Sequence, residues 1–323
     1  MATPTIPNTS QPVWPAGRPG RFADLVSSDA GARAPVALLG LPDDLGVRLN
    51  GGRPGAAQGP RAFREALARY GVADPSGWNW PKVFDAGDVT PAPGNDAAAL
   101  ASTHQRVQAA ARALCDAGYF PIAIGGGHDL TLAFVRGVLE SRVAGGKKDK
   151  PAGINFDAHL DVRPEPGSGM AMRALLESGL VRQIQNRGLN RLTASAAHID
   201  WFEKHGGKLM GHEPPSSRSD FSGGDVPSES WRETPTGAFF ATFDLDVLDA
   251  SHAPGVSAMN PSGWSASLLE RWALAVASDR DLICADIMEL NPAVDEGGRT
   301  ARLAAHLFLT LLRGLSASGR LRA

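Results

Sequence analysis

The stretch INFDAHLD, residues 154–161, organises the interpretation of the whole sequence. Its apolar residues Ile154 and Phe156 predict the end of a buried strand, and three metal-binding side chains follow at alternate positions, Asp157, His159 and Asp161. Because alternate residues of an extended strand point to the same side, we expect these three side chains to converge just past the strand. Carboxylates and an imidazole suit a divalent first-row metal such as manganese or zinc.

Two further segments place a histidine or acids after an apolar run. The segment GGGHD, residues 125–129, follows the run 120–124, and FDLD, residues 243–246, follows the run 238–242. A later predicted strand ends near Glu289. Open α/β sheets bind their ligands at the carboxyl ends of the strands. The sequence therefore predicts one site at that edge.

Composition narrows the class of protein. The chain has 323 residues and a formal net charge of −2, so it lacks the basic character that is typical of nucleic-acid binding. Its two cysteines, Cys115 and Cys284, predict no disulfide framework. No apolar run approaches the roughly 20 residues of a membrane span, and the N-terminus does not resemble a signal peptide. We expect a cytoplasmic protein that acts on a small molecule, without nucleic acid or membrane as partner.

Predicted strands and helices alternate along most of the chain, which indicates an α/β fold with a mostly parallel sheet and helices on both faces. Residues 1–33 are rich in Pro, Thr, Ser and Gly and predict an N-terminal arm. Residues 34–323 then form a single domain. Within it, the polar, serine-rich residues 205–236 predict an insertion or a long surface loop.

Two loops contain candidate substrate-binding residues. The Gly-rich loop 46–56 follows the first strand, but it lacks the Gly-Lys-Ser/Thr ending of a nucleotide-binding loop. We instead expect it to supply charged or polar groups to the site, with Asn50 and Arg53 as candidates. Residues 162–170 contain two prolines and two glycines and predict a fixed loop directly after the central ligands. Its polar residues, Arg163 and Ser168 among them, should lie near a bound substrate.

The candidate ligands are too numerous for one metal ion. There are six of them, and they comprise two imidazoles and four carboxylates, namely His128, Asp157, His159, Asp161, Asp244 and Asp246. Two ions roughly 3.5 Å apart with bridging carboxylates fit this set better and would make hydroxide available at neutral pH. The pattern indicates hydrolytic chemistry.

The motifs GGGHD, NFDAHLD and FDLDVLDASHAPGVSA together resemble the three signatures of the ureohydrolase family, which includes arginase and agmatinase. The resemblance covers about residues 36–312 and implies a three-layer α/β/α fold with an eight-stranded mostly parallel sheet, two manganese ions per chain, and trimers or hexamers. By motif position it implies one ion held by His128, Asp157, Asp161 and Asp244, and a second held by Asp157, His159, Asp244 and Asp246. It also implies that Glu289 pairs with the guanidinium or amidine of the substrate, and that Asp129 supports the site from behind the ligands.

Three further stretches resemble the formimidoylglutamase branch of this family, namely GVRLNGGRPGAAQGP, SGMAMR and MELNPAVDEGGRTARLAAHL. Arginases have an Asn where this chain has Arg163, and a histidine near the position of Met172. An arginine suits a substrate with a free carboxylate. N-formimidoyl-L-glutamate has two, which Arg163 and Arg53 could hold. The alternatives are that Arg53 braces a loop and that Arg163 pairs with Glu165.

We therefore expect a dimanganese hydrolase that converts N-formimidoyl-L-glutamate to L-glutamate and formamide, in histidine degradation. A hydroxide would attack the amidine carbon, with Asp161 accepting its hydrogen bond and Glu289 holding the amidine. The nearest alternative is a guanidinobutyrase, agmatinase or arginase-like enzyme that releases urea. A zinc amidohydrolase of the deacetylase type and a non-catalytic, metal-stabilised oligomer or binding protein are further alternatives.

Overall fold

One sheet extends through the whole fold. A computed structural model describes residues 5–16, 19–29, 34–71, 80–210 and 235–319. Within these residues the sheet has ten strands. They are β1 (Thr9–Ser10), β2 (Val26–Ser27), β3 (Val36–Leu41), β4 (Val83–Val89), β5 (Phe120–Gly125), β6 (Ala152–Phe156), β7 (Gln183–Arg187), β8 (Gly207–Leu209), β9 (Phe239–Asp244) and β10 (Leu282–Met288).

The sheet is parallel apart from one short pairing at its edge. The strand order is β1-β4-β3-β5-β10-β9-β6-β7-β8, and β2 also pairs with β4. Strands β3 to β10 form the eight-stranded parallel sheet that the family resemblance implies. The two-residue strands β1 and β2 enlarge it to ten, since they add backbone hydrogen bonds to the edge strand β4, β1 in antiparallel orientation. The predicted fold class is confirmed.

Helices cover both faces of the sheet. They are α1 (Leu45–Leu49), α2 (Gly59–Leu67), α3 (Ala97–Asp116), α4 (Leu130–Ala144), α5 (Ala171–Glu177), α6 (Ala196–Lys204), α7 (Ala266–Ser278) and α8 (Arg299–Ala317). One hydrophobic core joins the sheet to α2, α7 and α8, and the other joins it to α3, α4, α5 and α6. Strand β3 shows why: Val36 and Leu38 belong to the first core, Ala37 and Leu39 to the second. No helix of the described residues is long and apolar enough to cross a membrane.

The structure corrects two predicted segments. The short helix α1, Leu45–Leu49, includes the first residues of the predicted Gly-rich loop. The predicted surface loop 205–236 is wrong at its beginning, since Gly207–Leu209 pairs with β7 as the last strand of the sheet. Its residues 211–234 lie outside the described residues, so the remainder of that prediction stays a prediction.

The described N-terminal residues contact the rest of the fold at two aromatic anchors. Phe22 is fully buried, and its ring lies edge-on to Phe308 of α8 at 6.4 Å. The indole Nε1 of Trp14 donates a hydrogen bond to Asp85 of β4 at 2.8 Å. Residues 1–4, 17–18 and 30–33 lie outside the described residues. The division into an arm and a single domain remains a prediction.

Candidate active site

The predicted ligands lie together at the carboxyl edge of the sheet, because they follow strands that are neighbours. Strands β5, β10, β9 and β6 are adjacent in that order. The site residues at the ends of these strands are His128 after β5, Glu289 after β10, Asp244 and Asp246 at the end of β9, and Asp157, His159 and Asp161 after β6. Segments far apart in sequence therefore meet at one site, as expected for an open parallel sheet.

The first group of ligand atoms surrounds the imidazole of His128. Its Nδ1 lies 2.9 Å from Asp161 Oδ2, 3.2 Å from Asp244 Oδ2 and 3.3 Å from Asp157 Oδ2. Within the described residues, Nδ1 of this buried ring has no hydrogen-bond partner. Three carboxylate oxygens and one imidazole nitrogen therefore face a common point, as in a metal site.

The second group lies around His159. Its Nδ1 is 2.9 Å from Asp246 Oδ2 and 3.4 Å from Asp157 Oδ1. Asp157 thus directs one oxygen to each group, which matches the bridging role implied by the family resemblance. Asp244 differs, because its Oδ1 accepts a hydrogen bond from the backbone N–H of Asp246 at 2.8 Å. The bridging role of Asp244 remains a prediction.

The convergence of the central ligands has another cause than strand alternation. Strand β6 ends at Phe156, and a turn follows in which Asp157 Oδ1 accepts the backbone N–H of His159 at 2.6 Å. Asp161 then takes a left-handed backbone conformation with φ of 49°. Such a conformation is strained for a non-glycine residue and is typical of functional sites. The turn, rather than an extended strand, points the side chains to one place.

The glycines of GGGHD bring His128 close to Glu289. The backbone oxygen of Gly126 accepts the N–H of Glu289 at 2.8 Å, and its N–H donates to Leu41 at 2.9 Å. A Cβ at Gly126 would overlap the carbonyl oxygen of Asp43, so only glycine fits here. The same close packing aligns the loops after β5 and β10.

The charges of the cluster fit a bound cation. Asp157, Asp244 and Asp246 are at most 3% exposed, and no Lys or Arg among the described residues forms an ion pair with them. Burial, together with the charge of Asp157, raises the pKa of Asp161 to about 6. Burial also raises the pKa of Asp246. Carboxylates buried without a basic side chain need positive charge from elsewhere, and divalent ions supply it.

A second layer of hydrogen bonds orients the ligands. His128 Nε2 lies 2.8 Å from the hydroxyl of Thr242, which donates to buried Asp286 at 2.5 Å, and so Nδ1 is directed into the cluster. Asp129 lies 2.7 Å from His104 Nε2 on α3. This agrees with the expectation that Asp129 supports the site from behind. Such outer contacts fix the tautomer and orientation of metal-binding histidines.

Glu289 lies beside the cluster. Its φ is 66°, and its Oε1 accepts the backbone N–H of His128 at 2.9 Å. Burial raises the pKa of this carboxyl to about 7, although a hydrogen bond from Ser257 opposes the shift. Within the described residues, Oε2 has no hydrogen-bond partner. The side chain is also part of the lining of the cavity above the cluster.

That cavity has a volume of about 540 Å³. Besides the cluster, its lining includes three predicted substrate residues, Asn50, Arg163 and Ser168. Sequence reasoning missed another part of the lining, which comprises Thr193, Ala194, Ser195, His198, Ser257 and Ala258. One residue of the sequence could have indicated this part of the lining. Ser195 is a typical helix N-cap residue, and it marks the start of α6 at the edge of the sheet.

The predicted substrate residues differ in what they contact. Asn50 Nδ2 donates to Ser168 Oγ at 3.2 Å, which ties the two loops together. Arg163 is exposed in the cavity, and within the described residues its guanidinium makes no ion pair, with Glu165 or any other acid. Arg53 is not part of the lining: its Nε donates to Ser257 O at 3.1 Å. Arg53 therefore braces a loop of the site through backbone carbonyls rather than through a salt bridge, and a role in substrate binding stays a prediction.

Comparisons with known proteins agree with this geometry. The model of the arginase family matches residues 34–313. A formimidoylglutamase from Rhodococcus jostii is 34% identical over 283 residues, covering 84% of this chain and 82% of that protein. The crystal structure of a Trypanosoma cruzi formiminoglutamase with Mn²⁺ has a TM-score of 0.76 at 29% identity, covering 88% of this chain and 96% of the other. A proclavaminate amidino hydrolase from Streptomyces clavuligerus shares the fold, with a TM-score of 0.73. The chain belongs to the arginase family.

Proposed function

We propose that the protein is a dimanganese hydrolase that cleaves N-formimidoyl-L-glutamate into L-glutamate and formamide, a reaction of histidine degradation. One observation carries the proposal. A single cavity contains the His/Asp cluster, the acid Glu289, and the unpaired cation Arg163. This combination is complementary to a molecule with an amidinium at one end and a carboxylate close by. The relatives named formimidoylglutamase support the same substrate.

The two groups of ligand atoms would hold the ions. His128, Asp157, Asp161 and Asp244 form the first site, and Asp157, His159 and Asp246 form the second, with Asp244 as a further ligand. Related proteins solved with Mn²⁺ support this metal. When bound, the two ions lower the pKa of a water molecule and stabilise the negative charge that develops as the amidine is attacked.

The protein's own residues orient the amidine and the proton. Glu289 would pair with the amidinium through Oε2, while Oε1 stays bound to the His128 backbone. Because Glu289 is buried and its Oε1 is bound to the His128 backbone, the amidine carbon would be held at a defined place above the cluster. The Asp161 carboxylate would accept a hydrogen bond from the attacking hydroxide, take its proton as the oxygen bonds to the amidine carbon, and pass this proton to the glutamate nitrogen as the C–N bond breaks.

Substrate selection would begin at Arg163. It follows Asp161 by two residues, so its Cα is within about 7 Å of the Cα of Asp161. A guanidinium can bind a carboxylate with two parallel hydrogen bonds. The amine at the far end of agmatine would instead be repelled. Asn50 and Ser168 would complete this side of the site, while Arg53 acts indirectly by bracing residues 254–257.

A guanidinobutyrase is the second candidate, because Arg163 alone suits a substrate with one carboxylate. We further propose a trimer or hexamer, a cytoplasmic location, and one domain over residues 34–323 that follows an N-terminal arm. The family resemblance and the composition support these three points.

A substrate panel tests the proposal. The Mn²⁺-loaded enzyme is incubated with N-formimidoyl-L-glutamate, 4-guanidinobutyrate, agmatine and arginine, and formamide and urea are assayed separately. We expect formamide from the first compound at the highest kcat/KM. Urea from 4-guanidinobutyrate as the main activity would replace the proposal with the second candidate. Preference for agmatine would refute carboxylate recognition by Arg163.

A further inference from the structure

A histidine that the metal cluster does not use also lines the active-site cavity. His198 belongs to α6 and is half-buried. Within the described residues, its ring nitrogens have no hydrogen-bond or ion-pair partner. Apart from the ligands His128 and His159, the described lining residues that can carry positive charge are Arg163 and His198. Outside the cluster, the described lining therefore offers one guanidinium and one imidazole ring as nitrogen donors.

The position of α6 is fixed against the loop that carries the central ligands. The connection before the helix is held by the backbone N–H of Asn190, which donates to Ala158 O at 2.9 Å. The guanidinium of Arg173 lies 4.3 Å from the ring centre of Trp201 in α6, and the Arg173 backbone N–H donates to Asp161 O at 3.1 Å. The helix is thus tied to the site from two sides. A side chain on its cavity face has a defined place relative to the cluster.

Thr193 and Ser195 line the cavity beside His198, and their hydroxyl groups differ in whether the hydrogen is still available to a ligand. Thr193 Oγ1 donates its hydrogen to Asn190 O at 3.0 Å, so it has no donor left for a ligand. Ser195 Oγ accepts the backbone N–H of His198 at 3.1 Å. A hydroxyl that accepts in this way still has its own hydrogen to donate. Ser195 and the His198 ring are therefore the two side-chain donors that this part of the lining offers.

We propose that His198 and Ser195 bind the second carboxylate of the substrate and so restrict the enzyme to dicarboxylate amidines. This inference rests on the proposed function, since a substrate with one carboxylate would not need them. A protonated imidazole donates from both nitrogens and attracts an anion, and a serine hydroxyl adds a third donor. The two carboxylates of the substrate are then matched by Arg163 and His198.

The distance of each carboxylate from the amidine in the substrate indicates which side chain would bind it. The amidine must lie between the cluster and Glu289, and the α-carboxylate is attached to the first carbon after the amidine nitrogen. Arg163, two residues from Asp161, is placed for this near carboxylate. The side-chain carboxylate lies two methylenes further away. His198 lines the same cavity but belongs to a segment that supplies no ligand, and it would therefore bind this distal carboxylate.

The test compares two substrates that differ only in the distal group. N-formimidoyl-L-glutamate has the side-chain carboxylate, and N-formimidoyl-L-norvaline replaces it with a methyl group. For His198→Gln in the Mn²⁺-loaded enzyme, we expect KM for the first compound to rise about tenfold or more, with kcat changed by less than about threefold. KM for the second should stay unchanged. L-glutamate and L-norvaline as competitive inhibitors provide the same comparison without turnover.

Two further variants make the outcome decisive. His198→Arg keeps a cation and should retain most of the preference for the dicarboxylate, even if the glutamine variant folds poorly. His205→Ala removes an exposed histidine from the end of the same helix and should leave the preference as it is. Equal losses on both substrates, or no loss, would overturn the role of His198. Absence of formamide with the unaltered enzyme would instead refute the proposed function on which it rests.

Discussion

Two clusters of buried or partly buried carboxylates lie on the same sheet, and they differ in where their positive charge comes from. In one, which we call the β4 cluster, Asp85 and Asp88 of β4 surround the buried guanidinium of Arg64. Arg64 donates two hydrogen bonds to Asp85, at 2.8 and 2.9 Å, and one to Asp88 at 2.7 Å. Trp14 adds another at 2.8 Å to Asp85.

The metal cluster has more carboxylates and no comparable cation. Among the described residues, its four aspartates form ion pairs only with the imidazoles of His128 and His159. The β4 cluster is complete within the chain and stabilises the fold, whereas the metal cluster must take its cations from solution. Aspartates within or after the strands of a parallel sheet are thus not diagnostic of a metal site. The presence or absence of a buried arginine decides which of the two they form.

The largest effect is expected from removing the internal cation. Arg64→Met leaves the buried Asp85 and the partly buried Asp88 without a counter-charge, which should lower the free energy of unfolding by about 3–5 kcal/mol. Urea denaturation measures this change in the free energy of unfolding. Arg61→Met, on the exposed side of the same helix, is the control and should change stability by less than about 0.5 kcal/mol. Similar small effects for both variants would show that the β4 cluster does not depend on its arginine.

The corresponding change in the metal cluster should act on metal binding instead. Asp246 pairs with His159 in the second group only, so Asp246→Asn should reduce the bound Mn²⁺ from two ions to one per chain. We expect kcat to fall at least about a hundredfold, equivalent to about 3 kcal/mol. Elemental analysis and kinetics measure both quantities.

The same variant also tests the contrast with Arg64. Burial and the charge of Asp157 raise the pKa of Asp246 in the metal-free protein, so its ionised form is unfavourable there. Replacing it with the neutral amide should not lower the melting temperature of the metal-free protein. A loss as large as that of Arg64→Met, or two ions retained at full occupancy, would contradict the distinction between the clusters.

Glu289 resembles Asp85 as Asp85 would be without Arg64, because it is a buried carboxylate that has no Lys or Arg partner among the described residues. Its Oε2 is buried without a partner, and the substrate amidinium would take the place that Arg64 has in the β4 cluster. Glu289→Gln should keep both ions and the fold. It should lower kcat/KM by a factor equivalent to about 2–3 kcal/mol of transition-state stabilisation, because a buried charged contact is lost. Steady-state kinetics with metal analysis as the control measure this. Unchanged kinetics would exclude Glu289 from amidine binding.

Arg163 is the exposed counterpart of Arg64. Since it has no acidic partner among the described residues, Arg163→Ala should leave stability within about 0.5 kcal/mol of the unaltered protein. It should lower kcat/KM for N-formimidoyl-L-glutamate by a factor equivalent to about 2 kcal/mol of transition-state stabilisation, while the metal content stays unchanged. A fall in stability, with all substrates affected alike, would indicate a structural role for Arg163.

The smallest effect concerns the contact of the N-terminal residues with the β4 cluster. Trp14→Phe keeps an aromatic ring but removes the hydrogen bond to Asp85, which should cost about 1–2 kcal/mol. The bidentate contact with Arg64 still satisfies Asp85, so the loss should be smaller than for Arg64→Met. Urea denaturation of the two single variants and the double variant tests this order. An effect larger than that of Arg64→Met would mean that Trp14 has another structural role.

Most of the architecture could be predicted because its signals are local. Apolar runs predict the strands, alternating helices predict parallel pairing, and the motifs place six ligands at strand ends. The short elements were missed for a physical reason. Strand β8 is three residues long and is stabilised by its pairing with β7, and α1 has only five residues. Neither has enough residues for a periodic pattern, so tertiary contacts determine them.

The sequence by itself determined which residues bear the chemistry, since aspartates and histidines at fixed spacing are recognisable without a structure. Only the tertiary structure decided what each charged residue faces. It placed Arg53 against the carbonyl of Ser257, left Arg163 in the cavity without an ion-pair partner in the described part of the chain, and brought His198 into the same lining. The physical reason is that the partner of a charge depends on distance in space, and loops from separate strands meet only when the sheet is assembled.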